Sequence, residues 1–221
     1  MEKTVKIEEL LDLSKTIAAE IFNGKDYPWE ALEEISDFIY KLGESLPAEE
    51  FDNPEPGIWI AKDAKVFPSA YIGAPCIIDS GAEVRHCAFI RGSAIVGKKA
   101  VVGNSTELKN VILFDNVQVP HYNYVGDSIL GYKAHMGAGS ITSNVKSDKS
   151  LVVVKSDELI PTGRKKFGAI LGNNVEVGCN TVLNPGTIIG EGSMVYPVSC
   201  VRGVIPPQSI YKDTDNIVSK H

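Results

Sequence analysis

Cysteine is scarce in this chain of 221 residues, and its spacing argues against two kinds of small domain. No Cys-x-x-Cys pair occurs, so neither a disulfide framework nor a zinc site built on paired thiols is supported. We predict instead that the four cysteines are small side chains packed in the core: Cys76, Cys87, Cys179 and Cys200.

Long apolar runs and an excess of positive charge are also absent. No stretch reaches the roughly 18–20 apolar residues of a membrane span, and the first residues lack the cationic segment and apolar run of a signal peptide. With a net charge of −6, the chain offers no general basic surface for nucleic acid, although a local patch could still bind a small anion. We expect a cytoplasmic protein that binds neither membranes nor nucleic acids.

The N-terminal segment carries apolar residues at helical spacing. Residues 6–22 and 29–43 each repeat apolar side chains with the period of an amphipathic helix. The residues that follow are polar and rich in proline. We predict a helical pair over residues 1–45 and a linker over residues 46–57.

After the predicted linker the period changes to six. A period of six fits neither a helix nor a simple hairpin strand, but it is typical of a parallel β-helix, whose short strands turn a corner every six residues. The sequence therefore predicts an all-β parallel β-helix over residues 58–212, with a C-terminal tail over residues 213–221. The aliphatic residues that recur at this spacing are Ile60, Val66, Ile72, Ile78, Val84, Ile90, Val96, Val102 and Leu108, and later Leu171, Val177, Leu183, Ile189, Val195 and Val201.

The repeat is interrupted between these two blocks. Its register loosens after Leu108, and residues 143–168 abandon it, which predicts an excursion loop. This loop is basic within an acidic protein. Loops inserted into a repetitive scaffold often carry binding function, while a solvated run of charges is the alternative.

Two cations are placed side by side by the repeat. Arg91 and Lys109 are 18 residues apart, so they stack on neighbouring coils if three hexapeptides make one coil. Such a like-charge pair is unfavourable unless an anion lies between the two side chains, and a phosphate is the obvious candidate. The alternatives are two solvated side chains or pairing with Glu107 and Asp79.

One histidine lies at the break in the repeat. His121 follows a proline among tyrosines, and an imidazole can serve as a general base near neutral pH, although a lone histidine is often structural. His135 falls at an alternating strand position nearby. The run from Gly137 to Gly139 removes side chains, so its backbone amides could face a developing oxyanion.

A zinc site of three histidines, as in the gamma-class carbonic anhydrases, is not supported. His86 and His121 alone have a suitable separation, and Asp127 stands where the third ligand is expected. We therefore expect no metal.

Residues 90–144 resemble the acetyltransferase domain of the bifunctional N-acetylglucosamine-1-phosphate uridyltransferases. The family's H-x-x-Y-x-G-D motif stands here as HYNYVGD, and the match runs without a gap from Arg91 to Gly139. In that family an arginine, a lysine and a tyrosine bind the sugar phosphate, and a glutamate orients the histidine base. The resemblance implies a phosphate site at Arg91, Lys109 and Tyr124, with His121 as the base and Glu107 as its orienting carboxylate.

The resemblance implies further contacts around this centre. GAGSITSN is similar to the family's GAGTITxN, which implies that Ala138 and Gly139 lie beside coenzyme A and Asn144 at the acceptor or the thioester. The later residues resemble the archaeal-type sugar-1-phosphate nucleotidylyltransferases, which carry a similar acetyltransferase tail. By the same comparison, Cys179 and Pro197 would line the coenzyme A channel, Lys149 would contact the acceptor, and His135 replaces an asparagine that contacts the amino sugar.

As implied by the resemblance, the fold is a left-handed parallel β-helix that assembles as a homotrimer. The implied reaction is acetyl transfer from acetyl-CoA to an amino-sugar 1-phosphate, without the nucleotidyltransferase domain of the bifunctional relatives. A non-catalytic β-helix that binds a sugar nucleotide or regulates a related nucleotidyltransferase is the alternative. A third hypothesis is an acyltransferase for a nucleotide-linked amino sugar.

Overall fold

The N-terminal segment is helical but is not a pair of continuous helices. The computed structural model describes residues 3–220. The stretch predicted as the first helix is broken, because the Asp12 carboxylate accepts hydrogen bonds from the backbone and hydroxyl of Ser14 and so favours a local turn. The segment contains α1 (Ile7–Leu10), 3₁₀ helices at Leu13–Lys15, Ala19–Phe22 and Pro28–Glu33, and α2 (Ile35–Glu44).

The rest of the chain forms short strands. Neighbouring strands of the coils pair in parallel, which is the arrangement of a β-helix. In chain order the strands are β1 (Phe51–Glu55), β2 (Ile58–Ala61), β3 (Lys65–Val66), β4 (Tyr71–Ile72), β5 (Cys76–Ile78), β6 (Glu83–Val84), β7 (Phe89–Ile90), β8 (Ala94–Val96), β9 (Val101–Asn104), β10 (Glu107–Leu113), β11 (Gln118–His121), β12 (Tyr124–Leu130), β13 (His135–Met136), β14 (Ile141–Thr142), β15 (Val153–Lys155), β16 (Leu159–Pro161), β17 (Ala169–Leu171), β18 (Glu176–Val177), β19 (Val182–Leu183), β20 (Thr187–Ile189), β21 (Met194–Val195), β22 (Cys200–Val201), β23 (Val204–Ile205), β24 (Ser209–Asp213) and β25 (Asn216–Ser219).

These strands lie on three faces. Face 1 contains β2, β5, β8, the second halves of β10 and β12, β17, β20 and β23. Face 2 contains β3, β6, β9, β11, β13, β18, β21 and β24. Face 3 contains β4, β7, the first halves of β10 and β12, β14, β19 and β22. The predicted all-β, left-handed parallel β-helix is thus confirmed in its class and strand arrangement.

The aliphatic residues of the repeat point to the axis and are buried as predicted, except in the first coil, where Ile60, Val66 and Ile72 are half-buried. On face 1 the residues between them, such as Ile77, Ile95 and Ile112, are also fully buried. They point outward, but α2 packs against β5, β8 and β10 and covers them. The N-terminal segment therefore shares one hydrophobic core with the coils.

Both ends of the β-helix carry antiparallel strands. Residues 46–57 are predicted as a linker, but β1 within them pairs with β2, with Phe51 opposite Ala61. Residues 213–221 are predicted as a tail, whereas β24 and β25 form a hairpin at the last coil. The physical reason is that an end coil has unpaired strand edges, and an antiparallel strand satisfies their hydrogen bonds. These end segments are polar and lack the six-residue repeat, so the repeat does not predict their strands.

The excursion leaves the coils between β14 and β17 and contains the antiparallel pair β15–β16. It projects from the corner between face 3 and face 1. Its first part packs on the last coils, since Val152 is buried close to Gly186. Its final part returns to the middle coils, where the Gly168 amide donates to the Asp127 carbonyl.

The packing prediction for the cysteines is wrong for three of them. Cys76 is buried, and burial raises the pKa of its thiol to about 12, whereas Cys87, Cys179 and Cys200 are exposed. They face outward because they fall next to the aliphatic positions of their coils or at the corners. Within the described residues, no helix is long and apolar enough to cross a membrane.

Candidate functional site

Face 3 brings the predicted site residues together in two groups at its opposite edges. Arg91 and Lys109 align on neighbouring coils, since the Arg91 amide donates to the carbonyl of Leu108. Tyr124 aligns with Glu107 one coil earlier. This group lies toward the edge of face 3 that adjoins face 1.

A buried carboxylate holds Lys109. Lys109 Nζ lies 2.9 Å from Oδ1 and 3.1 Å from Oδ2 of Asp127, whose side chain is only 3% exposed. Asn110 donates to Oδ1 at 3.0 Å and Asn144 to Oδ2 at 2.6 Å. Both carboxylate oxygens are therefore paired, which offsets the cost of burying the charge.

Asp127 is a candidate site residue that no motif singles out, since its position predicts only where a third zinc ligand would stand. It occupies the face 3–face 1 corner with Asn110 on the preceding coil and Asn144 on the next. Asn110 and Asp127 have φ values of 55° and 48°, a conformation that Asn and Asp tolerate better than most residues. A column of Asn and Asp at successive corners is the signal that could have indicated this network.

Asn144 connects this network to Tyr124. Its amide donates to the Tyr124 hydroxyl at 3.2 Å, in addition to Asp127. Burial of Tyr124 and the nearby Asp127 charge raise the pKa of the phenol, which therefore stays protonated and can donate a hydrogen bond. The structure thus groups Asn144 with the predicted phosphate-binding residues.

Arg91 forms an ion pair with Glu107. Its Nη1 lies 2.9 Å from Oε1 of Glu107, and this contact raises the pKa of the guanidinium. Each predicted anion-binding cation thus has a carboxylate partner. Arg91 pairs with Glu107, as one of the alternatives predicts, whereas Lys109 pairs with Asp127 and not with Asp79.

The Glu107–His121 dyad is not assembled in this structure. Glu107 bonds Arg91, and the His121 imidazole makes no hydrogen bond within residues 3–220. Only the backbone of His121 is tied down, because its amide donates to Asn123 Oδ1 and its carbonyl accepts from the Gly139 amide. The dyad therefore stays a prediction, with an exposed and unengaged imidazole.

The second group forms a column at the corner between face 2 and face 3. Gly139 donates to the His121 carbonyl, Asn180 to that of Ala138 and Val198 to that of Cys179. These bonds align four predicted residues on successive coils, about 4.8 Å apart. The resulting corner column, from the predicted base to the predicted coenzyme A channel, consists of His121, Ala138, Cys179 and Pro197.

The predicted oxyanion amides need a correction. The Gly137 amide donates to Val177 and the Gly139 amide to His121, so both are consumed by ladder hydrogen bonds. The Ala138 amide between them has no partner among residues 3–220. A substrate oxygen at this turn would therefore meet one amide donor, that of Ala138.

Two predicted acceptor-binding residues lie apart from both groups. His135 Nδ1 lies 2.7 Å from Oε2 of Glu176 on face 2, a pair that the strand register explains by placing the two residues opposite each other. Lys149 is exposed in a turn of the excursion, where its amide donates to Lys146. In the single chain neither side chain is in the Lys109 network.

A shallow cleft opens at Lys109. The N-terminal segment forms one wall with Leu32 and Glu33, and the final part of the excursion forms another with Arg164, Lys165 and Lys166. Arg164 Nη1 lies 3.3 Å from Glu33 Oε2 and joins the two walls. No group of three or more His, Cys, Asp or Glu side chains suited to a metal ion occurs in the described part of the chain.

The chain is similar to one known protein family over much of its length. Residues 72–191 match the family model of the GMPPB C-terminal domain, which is more than half of the chain. The chain belongs to this family. The matched region of the GMPPB C-terminal domain family runs from β4 to just beyond β20, and so includes both groups of site residues except Pro197.

Curated relatives extend the match. The Bifunctional protein GlmU of Methanococcus maripaludis strain C5 is 30% identical over 226 aligned residues, covering all of this chain and 55% of that protein. The Bifunctional sugar-1-phosphate nucleotidylyltransferase/acetyltransferase of Sulfurisphaera tokodaii is 33% identical over 65% of this chain and 36% of its own length. This GMPPB C-terminal domain family member thus spans about half, or less, of the curated relatives it matches.

A solved structure similar to this chain is the acetyltransferase domain of PglB from Neisseria gonorrhoeae in complex with acetyl coenzyme A. It is 16% identical, the match covers 88% of this chain and 78% of that chain, and the TM-score is 0.34.

Proposed function

We propose that this protein is an acetyl-CoA-dependent N-acetyltransferase that acts on an amino-sugar 1-phosphate. The observation that carries the proposal is the placement of the two groups on either edge of face 3. One edge presents an unengaged histidine at the head of the corner column, and the other presents Arg91 and Lys109 beside a protonated tyrosine. The name of the Sulfurisphaera tokodaii relative, a bifunctional sugar-1-phosphate nucleotidylyltransferase/acetyltransferase, supports acetyl transfer as the reaction class.

His121 would act as the general base. As the acceptor amine attacks the thioester carbonyl, the nitrogen loses a proton to the imidazole and the carbon–sulfur bond breaks. The proton then passes to the departing thiolate of coenzyme A. Positioned proton transfer of this kind contributes about 10²–10⁴-fold to the rate.

The Ala138 amide would stabilise the oxyanion of the tetrahedral intermediate, since it is free and lies on the coil next to His121. A preorganised backbone donor of this kind needs no reorganisation during the reaction. Coenzyme A would run along the corner column past Cys179 and Pro197.

The sugar phosphate would bind at Arg91, Lys109 and Tyr124. In the unliganded chain these two cations are balanced by Glu107 and Asp127, so a dianion must compete for them. Asp127 is buried and fixed by two amides, whereas Glu107 is one-third exposed and has one partner. Phosphate would therefore displace Glu107 from Arg91, which would free this carboxylate to orient His121.

The second candidate is a non-catalytic module that binds a sugar nucleotide. The observation in its favour is that Glu107 engages Arg91 and leaves His121 without an orienting carboxylate. We also propose a homotrimer in which the site lies between subunits. The exposed aromatic pair Tyr71 and Phe89 on face 3 supports burial of this face, and light scattering should give three times the 23.9 kDa chain mass.

The deciding experiment measures the thiol released from acetyl-CoA with a panel of amino-sugar 1-phosphates and nucleotide-linked amino sugars. We expect release with a sugar phosphate, and a loss of about 10²-fold or more in His121→Ala. His86→Asn is the matched control, because His86 occupies the same corner two coils earlier and bonds Ser69. Release that never exceeds the His121→Ala level with any acceptor would favour the non-catalytic module.

A further inference from the structure

A second cationic pocket lies away from both groups of site residues. It opens between the first part of the excursion and the last two coils, beside β22. Its charged lining consists of Lys146, Lys155 and Arg202 with the single carboxylate of Asp148. The formal charge of this lining is therefore positive in a chain whose net charge is −6.

Arg202 occupies the same position of the repeat as Arg91 and Lys109. It directly follows an inward aliphatic residue, and the Asn184 amide bonded to Val201 aligns it with Asn184 on the previous coil. Arg91 and Lys109 both have carboxylate partners. Arg202 has none among the described residues, although it extends from the same row of face 3.

The other two cations come from the excursion. Lys155 ends β15 and has no ion-pair partner within residues 3–220. Lys146 Nζ lies 3.4 Å from Asp148 Oδ2 and also donates to Ser150 Oγ. Hydrogen bonds from Ser150 hold the pKa of Asp148 below its usual value, so this carboxylate stays charged and partly neutralises Lys146.

The floor of the pocket is formed by the coils. Pro185, Gly186 and Gly203 belong to the coils, and a Cβ at Gly203 would lie 2.9 Å from the Lys155 carbonyl. The excursion backbone therefore rests directly on the last coil and holds Lys155 beside Arg202. A guanidinium and an ammonium that line the same pocket and have no ion-pair partner within residues 3–220 favour an anion with several oxygens.

We propose that this pocket binds a phosphate or diphosphate group. The inference does not depend on acetyl transfer, because no residue of the corner column or the Lys109 network lines the pocket. A diphosphate could belong to coenzyme A or to a nucleoside diphosphate sugar, which share this chemistry.

The test is calorimetric titration of the full chain with inorganic pyrophosphate at fixed ionic strength. Arg202→Gln and Lys155→Gln should each weaken binding about tenfold or more, because each removes a charge-assisted hydrogen bond. Asp148→Asn should tighten binding, since it removes the competing carboxylate. The matched controls are Arg85→Gln and Lys99→Gln, which remove the same charges on other coils.

Wild-type affinity in both Arg202→Gln and Lys155→Gln would overturn the proposal, as would unchanged affinity in Asp148→Asn. Circular dichroism of each variant checks that it folds, and the opposite sign expected for Asp148→Asn cannot arise from misfolding. Displacement of bound pyrophosphate by coenzyme A or by a nucleoside diphosphate sugar then identifies the source of the group. Displacement by either compound supports the site. Neither displacement result depends on the outcome of the acetyl-transfer assay.

Discussion

Lys109 and Asp127 form an ion pair across two coils of the β-helix, with Nζ 2.9 Å from a carboxylate that is almost completely buried. Two asparagines at the corners above and below Asp127 complete its hydrogen bonds. This arrangement fixes the ammonium at the edge of face 3 before any ligand arrives. Preorganisation of this kind lowers the cost of binding an anion.

Asp127→Asn should destabilise the fold. It removes the counter-charge of Lys109, which is 27% exposed, and replaces a double acceptor with a group that also donates. We expect the free energy of unfolding to fall by about 1–3 kcal/mol in urea titrations. Glu83→Gln is the control, since its pair with Arg85 is more exposed and its loss should cost less than about 1 kcal/mol. Equal losses in the two variants would contradict the role of Asp127.

Glu107→Gln should separate the two partners proposed for this carboxylate. If Glu107 orients His121 once substrate is bound, its charge stabilises the imidazolium that forms as the base takes the proton. The variant should then lower kcat with little change in KM. If Glu107 acts only on Arg91, KM for the sugar phosphate changes and kcat is retained. The measurement is kcat and KM for the sugar phosphate in the variant and the wild type.

Cys179 should report coenzyme A binding. It is exposed in the corner column, so a thiol reagent should modify it readily, as it should Cys87 and Cys200. Cys76 should react only on unfolding, because it is buried with a pKa of about 12. Acetyl-CoA at ten times its Kd should slow modification of Cys179 roughly tenfold by mass action. Mass spectrometry follows each site, and equal protection of Cys87 would argue against a channel at this corner.

Asp79→Asn should be more stable than the wild type at neutral pH. The Asp79 carboxyl is buried, one of its oxygens has no hydrogen-bond partner, and burial raises its pKa. The folded state therefore holds this proton more tightly than the unfolded state, so wild-type stability falls as pH rises from about 4 through the folded pKa, by up to ~1.4 kcal/mol per pH unit. The amide introduced by the substitution cannot ionise, so the advantage of the variant should grow with pH.

Asp63→Asn provides the control of opposite sign for Asp79. Hydrogen bonds from Ser80 and Gly81 lower the pKa of Asp63, so its contribution is present above its ordinary pKa and is lost as pH falls. This variant should be less stable than the wild type at neutral pH and approach it in acid. Urea unfolding at several pH values measures both variants, and an advantage of Asp79→Asn that is constant with pH would contradict the assignment.

Much of the scaffold can be predicted because the repeat is a local signal. Each recurring aliphatic residue, such as Ile78 or Val96, marks the position in its strand that points to the axis. The spacing of six residues between them then gives the positions of the corners. The terminal strands β1 and β25 escape prediction because they pair with coil edges that are formed only after folding. Motif spacing singles out most of the candidate site residues, but it misses Asp127, whose role depends on contacts with three residues on the coils before and after it.

Spacing along the chain is enough to predict the β-helix and the alignment of Arg91 with Lys109. The alignment of the corner column across the excursion needed the backbone hydrogen bonds of the folded structure. The folded structure was needed to show that Glu107 bonds Arg91, that Asp127 holds Lys109, and that the N-terminal segment and the excursion wall the cleft. Those contacts join residues on different coils and segments, and they depend on side-chain direction, burial and charge, which spacing alone does not specify.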